Sequence, residues 1–273
     1  MLLILKSIIM GIVEGITEFL PISSTGHLIL VGDLINFKGQ FAKMFEVVIQ
    51  LGAILAVVFL YWQKIWNSLK NLMPGKWGFK LWLNIVVAAL PSAVLGILFN
   101  DYIDEHLFGP ATVIPALIFG GILMIVIENK YRKRKGINDM DNISLVKAFA
   151  IGCFQCLALW PGMSRSASTI MGAWIFGLSS VAAAEFSFFL AIPTMIGATG
   201  LTLVKKGLAI GSTNEVIALG VGFIVSFIVA YIVIEKFIGF LQKRPMRIFA
   251  VYRIFIGIVL LILAFFNIIT IAA

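Results

Sequence analysis

GIVEGITEFLPISSTGH, residues 11–27, interrupts an apolar region with two acids, a proline and a cluster of hydroxyls. Around this interruption the region 5–37 leaves apolar pieces of about 12 residues, and at about 1.5 Å per residue each piece reaches only half way across a bilayer. Pro21 lacks an N–H donor and disfavours helix at the residue before it, so it ends the first piece. Ser23, Ser24 and Thr25 supply side-chain oxygens suited to capping the second piece. The segment therefore reads as a re-entrant, broken-helix hairpin. The device recurs in GCFQCLALWPGMSRSAST, residues 152–169, where Pro161 precedes Ser164, Ser166 and Ser168 within the apolar region 145–179. Each stretch opens on a glycine followed three residues later by an acid or its amide, Glu14 in one and Gln155 in the other.

The rest of the chain belongs in lipid. Of 273 residues, 61% are apolar and 12% charged, with a mean hydropathy of +1.06, whereas a soluble domain carries about 25% charge. Unbroken apolar runs at 44–61, 81–98, 112–128, 184–204, 216–234 and 254–271 are each long enough to cross hydrocarbon. The fold class expected is an all-α polytopic membrane protein with six transmembrane helices plus two re-entrant hairpins. The net charge of +8 does not imply nucleic acid, because the basic residues fall in short connections where orientation signals are expected. Glu14 and Glu18 interrupt the first apolar run, and no small-residue cleavage pattern follows it, so it reads as retained rather than as a cleaved signal. Cys153 and Cys156 lack the four ligands of a structural zinc site and read as packing residues.

Lys64, Lys70, Lys76 and Lys80 lie in the connection 62–80, Lys130 to Lys135 and Lys147 mark 129–147, and Lys236, Lys243, Arg244, Arg247 and Arg253 mark 235–253. The connection 99–111 instead holds Asp101, Asp104 and Glu105. Placing the basic connections in the cytoplasm puts both termini outside, with Lys205 and Lys206 outside against the rule. It also makes the halves inverted copies: repeat 1 at 1–127, a basic linker at 128–142, and repeat 2 at 143–273, an architecture whose broken helices meet near the bilayer midplane.

Glu14 and Glu18, four residues apart, share one helix face with their carboxylates about 6 Å apart. Acids at such depth line polar cavities, and Glu46 and Glu185 imply the same shared interior. The two capped helix starts present N–H groups and partial positive charge to an anion. Ser23, Thr25, Ser164 and Ser166 stand at those starts, and Arg165 adds a planar donor suited to phosphate oxygens. Acids beside an anion site call for a bridging cation, and oxygen ligands favour Mg²⁺ or Ca²⁺ on Glu14 and Glu18. His27 is suited to moving a proton near neutral pH.

With FEVVIQLGAILAV (45–57) and EFSFFLAIP (185–193), these motifs make the whole chain resemble the bacterial undecaprenyl-diphosphatase, or bacitracin-resistance, family. The resemblance implies hydrolysis of undecaprenyl diphosphate to the monophosphate carrier of cell-wall synthesis, location in the bacterial plasma membrane, and dependence on a divalent cation. Family roles carry over onto Glu14, Glu18, Ser24, His27 and Arg165. Ala167 and Ser168 stand where the family's last motif usually has Gly and Ala. The order of events stays open between Ser24 attacking phosphorus with His27 assisting and a metal-bound water attacking while Ser24 orients phosphate. The partners expected are a polyprenyl diphosphate and membrane lipids, with a homodimer allowed. The active site is expected near the bilayer midplane, open to the outer face. A polyprenyl-phosphate flippase or transporter on the same repeat is the competing reading.

Overall fold

The computed structural model describes residues 1–132 and 136–266. Lys133, Arg134 and Lys135 of the basic linker, and the end of the last apolar run with the C-terminus, lie outside the described residues. Twelve α-helices are described: α1 (Leu2–Thr17), α2 (Ser24–Leu34), α3 (Gln40–Leu60), α4 (Trp62–Lys70), α5 (Trp77–Leu98), α6 (Asn100–His106), α7 (Pro110–Tyr131), α8 (Leu145–Gln155), α9 (Arg165–Ile175), α10 (Ser180–Lys206), α11 (Thr213–Lys243) and α12 (Arg247–Phe265). Among the described residues the only β pairing is an isolated bridge between Ile137 and Leu178. All-helical structure suits lipid, since each helix satisfies its own backbone groups.

Helices α3, α5, α7, α10, α11 and α12 are long and apolar enough to cross a membrane, and they coincide with the six apolar runs. Their ends differ where polar residues extend a helix beyond hydrocarbon. Helix α11 runs to Lys243, well past the apolar run, because its last turns need no lipid. Helix α7 continues to Tyr131, into the stretch assigned to the linker, and Glu128 there is buried and accepts from the Met246 N–H.

The two interrupted regions fold as helical hairpins, α1–α2 and α8–α9. Helix α1 packs on α11 and α3, while α8 packs on α5 and against its own partner α9. Close approach depends on glycine at matching positions: a Cβ on Gly11 would strike the Gly222 carbonyl of α11, and one on Gly152 the Ala88 carbonyl of α5. The main hydrophobic cluster draws on both hairpins and on the helices around them, with Phe19, Trp174, Phe186, Phe188 and Phe189 among its fully buried rings.

After residue 136 the linker is docked rather than merely basic. The Ile137 N–H donates to the Gly177 carbonyl, the Ser179 N–H donates to the Ile137 carbonyl, and Met140 and Ile143 are buried. Lys64 lies 3.7 Å from Asp141 and 4.0 Å from Glu185, and burial pushes the Asp141 carboxyl above its ordinary range against the pull of Lys64. Lys205, placed on the acidic side against the charge rule, pairs with Asp101 at 2.9 Å, so the acidic connection supplies a counter-charge for it. Cys153 is exposed on the exterior of the bundle, not packed within it, and both cysteines are free.

Candidate active site

Both hairpins turn on a serine held at positive φ. Ser23 (φ 73°) caps α2, its hydroxyl accepting from the Gly26 N–H, and Ser164 (φ 71°) caps α9, accepting from the Ala167 N–H. A left-handed backbone is uncommon for a residue with a Cβ and persists only where its surroundings enforce it, characteristically at functional sites. Helix α1 ends at Thr17, four residues before Pro21, whose missing N–H cannot serve the Thr17 carbonyl, and Ser24 becomes the first residue of α2.

This geometry brings four of the sequence-predicted residues together. Ser24 Oγ donates to Glu18 Oε2 at 2.6 Å. The other oxygen of the same carboxylate, Oε1, accepts from Arg165 Nη2 at 2.8 Å, across the boundary between the hairpins. Arg165 Nη1 donates to the Ser187 carbonyl (2.9 Å) and hydroxyl (3.2 Å), and the guanidinium sits 5.6 Å from the centroid of the Phe19 ring. Its Nε is buried with no hydrogen-bond partner. Arg165 is thus held on two sides by α10 and by Glu18, with one donor in reserve. Glu14 lies one helical turn before Glu18, fully buried, and neither of its oxygens has a hydrogen-bond partner.

An unpartnered buried carboxylate is costly unless a cation or proton compensates it. Glu14, next to a Glu18 already engaged on both oxygens, therefore fits a hard divalent cation by the chemistry of its donors. Among the described residues no group of three or more His, Cys, Asp or Glu side chains could hold such an ion alone. An ion that keeps waters and takes phosphate oxygens as ligands suits so sparse a donor set.

Other predicted residues stand differently. His27 engages other partners: Nδ1 lies 2.7 Å from the Ser23 carbonyl and Nε2 2.8 Å from Tyr252 Oη. Ser166, completely buried, donates to the Leu20 carbonyl at 3.0 Å and so ties one hairpin to the other. Ser164 is 3.1 Å from Ser166 through their hydroxyls, and Thr25 follows Ser24 in the first turn of α2. Glu46 stands near the first hairpin, its Oε1 beside Gly32. Glu185 does not share that interior. It turns to the linker side, where Tyr61 donates to it at 3.4 Å and Lys64 approaches.

Arg253 is the residue the charge pattern misassigned. Counted with the basic connection 235–253, it is instead a fully buried member of α12. Its guanidinium donates to the carbonyls of Pro21 (3.4 Å), Gly162 (2.9 Å) and Ala116 (3.4 Å), linking both hairpin turns to α7. The second hairpin also carries a neutral counterpart of Glu14. Gln155 donates to Ser92 Oγ at 2.6 Å and accepts from Thr169 Oγ1 at 3.3 Å, so its amide is satisfied without an ion.

The family model described as "Bacitracin resistance protein BacA" matches residues 7–259. A protein named undecaprenyl-diphosphatase from Clostridium tetani is 63% identical, the match covering 99% of this chain and 100% of the relative. Proteins of the same name from Clostridium novyi and Caldanaerobacter subterraneus are each 59% identical, covering 98% and 96% of this chain and 98% and 96% of those relatives. A match of this extent, over a chain whose motifs meet in one buried polar site, means that this protein belongs to the bacitracin resistance protein BacA family.

Proposed function

We propose that the chain is a membrane phosphatase that hydrolyses undecaprenyl diphosphate to undecaprenyl phosphate and inorganic phosphate, recycling the lipid carrier of the cell wall and so conferring bacitracin resistance. The single observation that carries the reaction chemistry is the Ser24–Glu18–Arg165 chain, in which one carboxylate receives a hydroxyl from one hairpin and a guanidinium from the other. Ser24 Oγ attacks the terminal phosphorus while Glu18 takes its proton. The bond from phosphorus to the bridging oxygen breaks, and the departing lipid monophosphate receives that proton. Water then attacks the phosphoserine, Glu18 takes the water's proton, Ser24 Oγ recovers it, and phosphate leaves.

Arg165 Nε and the N–H groups at the starts of α2 and α9 hold phosphate oxygens and stabilise the charge that shifts between them. Glu14 and Glu18 would hold Mg²⁺ or Ca²⁺, which when bound neutralises diphosphate charge. Purified protein should release phosphate from a polyprenyl diphosphate in detergent, lose that activity to a chelator and regain it with added Mg²⁺ or Ca²⁺. Lipid movement across vesicles without phosphate release would defeat the enzymatic reading.

The same proposal takes the fold as two inverted repeats, 1–127 and 143–273, with the hairpins re-entrant. Support comes from the exchanged packing, since α1 lies on a span of the second half and α8 on a span of the first. The matched glycines and the matched serine caps support it further. Re-entry leaves three crossings per half, so the second half starts from the opposite side of the membrane. Both termini then lie outside in the bacterial plasma membrane, with the site near the midplane and open to the outer face. Single cysteines at Asp104 and at Lys76, introduced after Cys153 and Cys156 are replaced, test the orientation. Asp104→Cys should react with an impermeant thiol reagent outside intact cells and Lys76→Cys should not; the reverse pattern would invert the orientation.

A further inference from the structure

We propose that Tyr252 is a positioning residue for His27 and, through it, for the turn that aims Ser24; this rests on the reading above. The histidine lies between two oxygens supplied by different elements. A carbonyl only accepts, so the contact of Nδ1 with the Ser23 carbonyl at 2.7 Å requires the proton on Nδ1. In the neutral ring Nε2 is then a bare acceptor, and the hydroxyl of Tyr252, 2.8 Å away on α12, donates to it.

The Ser23 carbonyl belongs to the peptide that joins Ser23 to Ser24, and it follows the positive φ of the cap. It also accepts the His27 backbone N–H, at 3.3 Å, so the shorter ring contact is the firmer hold on this peptide. The sequence Tyr252 O–H to His27, then His27 N–H to the Ser23 carbonyl, fixes the peptide plane from which Ser24 reaches Glu18. Tyr252 stands next to Arg253, which holds the Pro21 carbonyl of the same turn. Two adjacent residues of α12 therefore grip both ends of the turn.

Tyr252→Phe isolates the hydroxyl. The two rings lie nearly parallel, 10° apart in plane with centroids 5.6 Å apart, and phenylalanine keeps that stacking. His106→Asn leaves His27 as the only one of the chain's two histidines, so ¹⁵N-histidine spectra report on it alone in mildly alkaline buffer. The expected spectrum has a protonated Nδ1 and a hydrogen-bonded, unprotonated Nε2. In Tyr252→Phe the Nε2 signal should move to that of a free acceptor. Its kcat for phosphate release should fall at least about tenfold, as expected when the turn that aims Ser24 is less firmly held, with KM within about twofold of the parent.

A protonated Nε2 in the parent overturns the assignment. So does a Phe variant with an unchanged spectrum or an unchanged kcat, and a lost kcat with the parent's spectrum would mean that the hydroxyl acts elsewhere than on His27. A parent protein inert toward polyprenyl diphosphate would defeat the proposed reaction, while the nitrogen spectrum would still decide the Tyr252 contact.

Discussion

Glu18→Gln is expected to lower kcat for phosphate release by about 10³-fold, within the range for removing a general base. The carboxylate serves two partners at once, taking the Ser24 hydroxyl on Oε2 and Arg165 Nη2 on Oε1. A carboxamide has one accepting oxygen and one NH₂. If the oxygen faces Ser24, the NH₂ meets the guanidinium donor to donor; if it is flipped, Ser24 loses the acceptor of its proton. Either way the negative charge that draws the proton from Ser24 is gone. Steady-state phosphate release, with a thermal melt in detergent to confirm folding, checks the loss. Turnover within tenfold of the parent would remove Glu18 from the proton path.

Arg165→Lys should be nearly as damaging as Arg165→Ala, lowering kcat/KM by about 10²-fold or more through loss of directed donors to a phosphoryl group. The guanidinium spans three tasks in one plane, with Nη1 on Ser187, Nη2 on Glu18 and Nε buried without a partner. An ammonium at the end of a flexible stem can keep the attraction to Glu18, but it cannot hold Ser187 and present a further donor in the same geometry. KM should rise along with the fall in kcat. A lysine variant with the parent's kinetics would mean that the site needs only positive potential at this position.

The spans were legible because lipid imposes a length and an apolar composition that a short window of sequence reveals, as in 44–61 and 216–234. The hairpins were legible because Pro21 and Pro161 break helices locally and the serines that follow cap them locally. Orientation rested on charge, and there the reading failed at Arg253. An arginine near the end of an apolar run looks like a loop residue; what neutralises its burial is a set of three carbonyls from residues 21, 116 and 162, invisible to any window around 253. Glu185 was misjudged for the same reason, since its position within an apolar helix does not tell which side it faces, and Lys64 and Tyr61 come from more than a hundred residues away. The sequence by itself determined which residue types stand at each helix break: acids, hydroxyls, an arginine and a histidine. Only the tertiary structure decided their pairing, giving Ser24 to Glu18 rather than to His27 and His27 to Tyr252, because a hydrogen bond is set by distance and direction in space: the turn folds Ser24 back onto Glu18, and α12, packed on α7, brings Tyr252 to His27.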